Sequence, residues 1–548
     1  MHAAARLWSL VVILVMTTIT SGVAQTPAPW TSAGGGPYNT HAYLSAPGYD
    51  PATQISPSNV RSLALKWSFV TSGDISATPT VEAGGLYVPD WGGMLYKLDP
   101  ATGSVIWQHA VCDYTSTCYT NYASISRSSP AIGQNVIVIG DAIAHPNAAV
   151  PGSVVIGVNK TTGAKVWSTV VNTSSPWGAV LGSPVIYNNI VYIGTSSWEE
   201  GRTVAIPGYQ PVFRGNVTAL NADTGAIIWQ FTTVPPGYAG GAVPGSAPAV
   251  WSAQNMLLVG TGNNYAVPAG VPACITAAGS NQAAQYACID PTDYIDALLS
   301  LDLTTGRLNW SRRFGGADNW TQNCVTGSPY CVKPVGPDSD FAQAPMLAWL
   351  PNFVGVADDR GGASTGYMLA AGQKSSMFYA LNPLDGGLFW STSIGIGGME
   401  WGSTMNLADH DLFYVALHNN NHVTQTIVGQ SGTNPTTWNA GAWGALNART
   451  GRINWMIPTI GADLQNPAQG GFAPGCMTFA NRVVFAGSSS GVMVAMDAET
   501  GRVYWTFATG GTIVGCPAIY NDTAYWGTGY ARTGVGKHML YAFAVPGG

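Results

Sequence analysis

Two adjacent carboxylates, Glu199 and Glu200, close the phrase IVYIGTSSWEE, and an amide, Asn263, follows LLVGTG. Two further acids, Asp338 and Asp340, precede FAQAPML, and an ammonium, Lys374, follows YMLAAGQ. Arg127 stands before SSPAI, and Glu400 with Trp401 lies in GGMEWGS. Carboxylate and amide oxygens flanked by cations suit a hard ion such as Ca²⁺, which accepts irregular oxygen coordination. These residues are scattered between positions 127 and 401. They can act together only if the fold brings them to one point.

A repeat supplies such a fold. The pattern hydrophobic-Asp/Asn-x-x-Thr-Gly-x-x-x-Trp reads LDPATGSVIW, VNKTTGAKVW, LNADTGAIIW and LDLTTGRLNW, ending at Trp107, Trp167, Trp229 and Trp310. It returns, with variation, as LNPLDGGLFW, LNARTGRINW and MDAETGRVYW, ending at Trp390, Trp455 and Trp505. Each copy is a strand, a tight turn and a second strand that delivers one large ring to a fixed place. All-β units repeating at tens of residues make a radial array. An eighth copy is split: NVRSLALKWSF near the start supplies Trp67 on an outer strand, and HMLYAFAVPGG at the end supplies the strand before it. Pairing them closes a ring and removes its free edge. The expectation is an all-β, eight-bladed β-propeller of four-stranded antiparallel blades over 57–548.

In the third blade GSPVIYN reads as the innermost strand, IVYIGTS as the second, GNVTALN as the third and AIIWQF as the outermost. Antiparallel alternation puts the loop before each innermost strand and the loop after each second strand on one face, near the axis. The polar residues above all fall in those two loop types. The Asp-x-x-Thr-Gly turns are expected on the same face, further out. The repeat tryptophans read as blade-to-blade packing, not catalysis. Spacings between them reach 81 residues (Trp229 to Trp310), so the long stretches Val267 to Asp293 and Asp318 to Pro337 are candidates for setting the substrate.

Residues 1–24 read as a secretory signal peptide: a basic start, an apolar core from Leu7 to Met16 and small residues at Ser21 to Ala24. Residues 25–56 are left as an N-terminal arm. That core is shorter than the ~20 residues of a membrane span, and no later stretch reads as one. The location implied is secreted, or periplasmic in a bacterium. With 9% charged residues and a net charge of −6, the chain has no basic field for nucleic acid. Eight cysteines suit an oxidising compartment. The local pairs Cys112/Cys118, Cys274/Cys288 and Cys324/Cys331 are plausible bridges; Cys476 and Cys516 are either a bridge or two buried thiols. No Cys-x-x-Cys spacing supports zinc or covalent haem.

The Trp-bearing repeats, with GDISATP, SRSSPAIG, VGTGNNY, GPDSDFAQAPML and AGQKSSMFYALN, make the mature chain resemble the eight-bladed quinoprotein alcohol dehydrogenases that bind pyrroloquinoline quinone (PQQ). The similarity is greatest to the polyvinyl-alcohol-dehydrogenase-like branch. The resemblance implies PQQ over Ca²⁺, with Glu199, Asn263 and Asp340 as metal ligands and Glu200 as the rival to Glu199 by one register. It makes Asp340 the general base for an alcohol, a secondary alcohol or polyol, whose hydride passes to PQQ. Lys374 would touch the quinone oxygens, Arg127 a PQQ carboxylate and Ser196 the cofactor, with Glu400 and Trp401 at the pocket. Ala342, where lanthanide-using relatives carry a further carboxylate, favours Ca²⁺.

The chain departs from the family in three places. The phrase that carries a stacking Trp in the family reads Val243-Pro244-Gly245-Ser246 here. No adjacent Cys–Cys pair is present, and no Cys-x-x-Cys-His haem segment, so electrons would pass to an external acceptor. The alternative reading, drawn from Pro244, is a propeller scaffold or binding module that has lost PQQ.

Overall fold

The computed structural model describes residues 28–43, 55–245, 247–406, 411–429 and 433–546. The signal-peptide segment lies outside them. The described residues form eight four-stranded antiparallel blades around one axis. The third blade shows the pattern: Val185–Tyr187 innermost, then Ile190–Gly194, Asn216–Asn221 and Ile227–Thr232 outermost. In the eighth blade, Ala518–Tyr520, Thr523–Thr528 and Met539–Ala544 are completed from the other end of the chain by Ala64–Val70. The ring therefore closes by strand pairing, as the split repeat requires.

The repeat chemistry explains how neighbouring blades lock. Within each turn the Asp or Asn accepts from the following backbone: Asn221 Oδ1 takes the Asp223 and Thr224 N–H groups at 3.1 and 3.0 Å. The turn glycine has positive φ, +69° at Gly225, which favours a residue without Cβ. The preceding blade's tryptophan lies against it. A Cβ on Gly225 would come within 2.5 Å of the Trp167 ring. The same indole donates to the Ala222 carbonyl at 2.8 Å. Trp229 repeats this on Leu303, Trp310 on Pro383 and Trp390 on Ala448. Trp505 reaches the Leu63 carbonyl and Trp67 the Pro100 carbonyl, so the lock crosses the closure. The tryptophans are structural throughout.

One expectation about these turns is corrected. They lie with the turns between first and second strands: Asn189 Nδ2 donates to Asp223 Oδ2, and Asn255 Nδ2 to Asp302 Oδ2, both at 2.7 Å. Strand parity requires this, because the connection after a third strand leaves from the face opposite the connection after a second. The Thr-Gly turns therefore sit on the face away from the polar loops.

The described part of the arm lines the inner edges of the blades. Trp30 exchanges both backbone bonds with Val81, and Thr31 O accepts from Ile132 N. Pro37 O accepts from Val250 N, Tyr38 O from Leu347 N and His41 O from Phe479 N. Ala42–Tyr43 adds a parallel fifth strand to the seventh blade. Inner-strand N–H groups that face the axis thereby find partners. Four disulfides are present: Cys112–Cys118, Cys274–Cys288, Cys324–Cys331 and, between the seventh and eighth blades, Cys476–Cys516. The first expected substrate-setting stretch folds as two helices, Val271–Ala278 and Gln282–Tyr286, with Cys274 of the first bridged to Cys288 just beyond the second.

Candidate functional site

Every polar residue singled out in the sequence stands in one of the two axial loop types. Arg127 and Asp340 precede the first strands of the second and fifth blades, and Glu400 precedes that of the sixth. Ser196, Glu200, Asn263 and Lys374 follow second strands of the third, fourth and fifth blades. A cavity of about 300 Å³ opens there, bordered by Ser196, Glu200, Asp340, Lys374, Glu400 and Trp401 among others. That volume is at the lower end of small-molecule sites.

Asp340 is the junction of the cluster. Its Oδ1 accepts the backbone N–H of Asn263 at 2.7 Å and its Oδ2 accepts Lys374 Nζ at 2.8 Å. The backbone N–H of Lys374 donates to Asp340 O, so the two residues are held at both main chain and side chain. Lys374 Nζ also reaches Asp338 Oδ1 at 2.8 Å. Gly262 permits this approach: a Cβ there would stand 2.5 Å from Asp340 Oδ1. Buried Asp318 supports the loop from behind, accepting the N–H groups of Asp338 and Ser339 at 3.2 and 2.6 Å.

The two neighbouring glutamates differ completely. Glu199 opens the helix Glu199–Ala205 and is fully buried. Its carboxylate accepts Ser175 Oγ at 2.6 Å, Tyr209 Oη at 2.9 Å, and the Val212 and Phe213 N–H groups at 2.9 and 2.8 Å. Four donors occupy both oxygens, so Glu199 ties the loop together and does not border the cavity. Glu200 does, beside Tyr265. Of the two, Glu199, the first expected metal ligand, is turned away from the cavity, and Glu200, its rival by one register, faces it.

Electrostatics single out the same group of residues. Burial, then repulsion from Asp340, raises the Glu200 carboxyl to about 8. Burial also lifts Asp338 to about 7 against the pull of Lys374. Burial opposes the charge on Lys374, but Asp340, Asp338, Glu200 and Glu400 outweigh it and hold the ammonium well above its ordinary value. Burial pushes Glu400 upward too, yet His418, Lys374 and Arg127 bring it down to about 2. Its Oε1 lies 3.2 Å from His418 Nδ1.

Glu200 and Asp338 thus resist ionisation beside Asp340, and a divalent cation would favour their charged forms. Asn263 meets the same test. Its Nδ2 donates to the Asn264 and Trp320 carbonyls, whereas its Oδ1 is buried without a hydrogen-bond partner. Ser196 Oγ, on the cavity wall, is likewise buried and unpartnered.

Arg127 sits 4.2 Å over the Trp401 ring and lines a smaller axial space beneath, shared with Trp401, His41 and Cys476. Pro244 borders the main cavity, but so do Trp198, Tyr265 and Trp401. Aromatic faces are therefore present, from loops other than the one that the family phrase names. Tyr265, Trp198 and Arg532 were missed in the sequence. Trp198 and Tyr265 had a local signal, the one immediately before Glu199 and the other two residues beyond Asn263.

Comparisons with known proteins agree with this architecture. A family profile described as outer membrane protein assembly factor BamB matches residues 45–208 and 440–544. Polyvinylalcohol dehydrogenase of Sphingopyxis sp. (strain 113P3) is 26% identical, over 91% of this chain and 74% of that protein. Polyvinylalcohol dehydrogenase of a Pseudomonas species is 24% identical, over 95% of this chain and 78% of that protein. Among solved structures, quinohemoprotein alcohol dehydrogenase ADHIIG of Pseudomonas putida HK5 superposes with a TM-score of 0.66 at 19% identity. That match covers 95% of this chain and 81% of the other and speaks to the fold alone.

Proposed function

We propose, from the premise that this chain belongs to the quinoprotein alcohol dehydrogenases on their polyvinyl-alcohol-dehydrogenase-like branch, that it is a secreted alcohol dehydrogenase. Its reaction is the oxidation of a secondary alcohol or polyol to the carbonyl compound, with PQQ and Ca²⁺ bound at the axial cavity. Electrons leave to an external acceptor.

The observation that carries this reading is the Asn263–Asp340–Lys374 chain of hydrogen bonds, bordered by Glu200, with Asn263 Oδ1 left unpartnered. Glu200, Asn263 and Asp340 would hold Ca²⁺; Ser196, Lys374, Arg127, Glu400 and Trp401 would border PQQ. When bound, PQQ supplies a two-electron acceptor and Ca²⁺ a Lewis acid. The chain's own work is positional and protonic. Asp340 takes the proton of the substrate hydroxyl, and Lys374 Nζ, 2.8 Å from its Oδ2, fixes the position of the carboxylate beforehand. The aromatic faces of Trp198 and Trp401 offer a flat cofactor the stacking surface that Pro244 does not. They weaken the one argument for a non-catalytic scaffold.

The test is reduction of an artificial dye by the full-length protein supplied with PQQ and Ca²⁺, across secondary alcohols, polyols and primary alcohols. Alcohol-dependent reduction that disappears in Asp340→Asn supports the reading. Its absence with every alcohol leaves the scaffold.

A further inference from the structure

A second cavity, about 360 Å³, lies beside the first and is bordered by Tyr122, Ile143, Trp177, Trp198, Arg202 and Arg532. The two share Trp198, Gly201 and Arg532, so they adjoin along one wall. The second contains nothing suited to oxidation. Its lining carries two guanidinium groups and no carboxylate.

Three of the described arginines meet acids: Arg312 with Asp359, Arg449 with Asp411 and Arg482 with Glu499. Among the described residues neither Arg202 nor Arg532 makes a salt bridge. Each is instead laid on a ring, Arg202 at 3.6 Å over Trp177 and Arg532 at 4.3 Å over Trp198. A guanidinium held over an indole loses rotational freedom while N–H groups not engaged by the ring stay available. Those groups match a carboxylate, which a guanidinium binds through two parallel hydrogen bonds. The chain as a whole is acidic, at −6, so general charge excess does not account for two unneutralised cations in one cavity. The acid nearest Arg202 along the chain, Glu200, borders the first cavity, as Arg532 also does.

We infer that the second cavity is an outer substrate subsite for a carboxylate, so that the preferred substrate is a hydroxylated acid whose acidic end lies between Arg202 and Arg532 while its hydroxyl lies at Asp340. The inference rests on the alcohol-oxidising reading of the first cavity and narrows its substrate class. Trp177, Trp198 and Tyr122 would border the carbon chain between the two ends. The other carboxylates that arginines here would recognise are those of PQQ itself, and the experiment separates the two sources.

D-gluconate and D-sorbitol share a six-carbon polyol chain and differ at one end, carboxylate against hydroxymethyl. Each is titrated into the full-length protein loaded with PQQ and Ca²⁺, followed by tryptophan fluorescence and calorimetry; PQQ is titrated separately by its absorbance. Gluconate is expected to bind about tenfold or more tightly than sorbitol. Arg202→Gln should abolish that preference while leaving sorbitol and PQQ affinities unchanged, and Arg532→Gln provides a second, independent removal of charge. Equal affinity for the two polyols, or a preference that survives both variants, overturns the inference. A loss of PQQ affinity in Arg202→Gln without loss of gluconate preference also overturns it, by assigning the arginine to the cofactor. If PQQ never binds but gluconate selectivity is present and arginine-dependent, the anion subsite stands and the oxidation reading falls.

Discussion

At the scale of single residues, the site turns on which carboxylates face the cavity. Glu199 and Glu200 are adjacent, but successive residues at a helix start diverge by about 100°. Glu199 points at four donors and Glu200 into the cavity. Their amides should therefore behave oppositely. Glu200→Gln should weaken Ca²⁺ binding, measured calorimetrically, by at least about tenfold and leave folding intact. Glu199→Gln should lower stability by roughly 1.5–3 kcal/mol, since it loses charge-assisted hydrogen bonds, with little direct effect on Ca²⁺.

The raised carboxyl of Glu200 also fixes a sign. A group whose pKa in the folded protein lies above its unfolded value stabilises fully below the unfolded value, about 4.3. That stability is lost as pH rises through about 8. Metal-free protein should thus lose stability between those limits. Glu200→Gln should relieve part of the loss, as should added Ca²⁺ at the alkaline end. Thermal midpoints across that range, with and without the ion, are the measurement. An Asp340→Asn variant should lose about 10²–10⁴-fold in kcat, if it removes the proton acceptor.

At the scale of the element, the blade repeat is the most legible feature of the chain. Asp/Asn, Thr, Gly and Trp each have a local reason to be where they are, so the turn, its positive-φ glycine and the docking indole follow from short-range pattern. Gly225→Ala tests that directly. It combines a φ of +69° with a Cβ 2.5 Å from the Trp167 ring, and should cost about 2–4 kcal/mol in urea unfolding. Activity per folded molecule should be unchanged, because the turn lies on the face away from the cavity. The axial position of Asp340, Lys374 and Asn263 was also readable, from strand parity alone. The assignment of Glu199 was not, because its partners Ser175, Tyr209, Val212 and Phe213 are gathered by tertiary folding. Nor was Arg532, which comes from the eighth blade and carries no motif. The face of the Thr-Gly turns differs from the expected one, since it depends on one further reversal of the chain.

At the scale of the whole molecule, closure decides stability. The first and last strands pair in the eighth blade, Trp505 and Trp67 continue the indole lock across it, and Cys476–Cys516 joins that blade to the seventh. The disulfide closes a separation of 40 residues, worth roughly 3–4 kcal/mol in unfolded-chain entropy. Replacing both cysteines by serine should lower the unfolding midpoint accordingly. Closure also gives the axial loops one common centre, so that residues from the second, third, fourth, fifth, sixth and eighth blades meet around adjoining spaces.

That convergence is most directly tested by one titration: PQQ into metal-free full-length protein, followed by quinone absorbance, with and without Ca²⁺. The account predicts saturation at one PQQ per chain that depends on Ca²⁺ and is lost or strongly weakened in Glu200→Gln. No uptake of PQQ, or uptake indifferent both to Ca²⁺ and to Glu200→Gln, would contradict it.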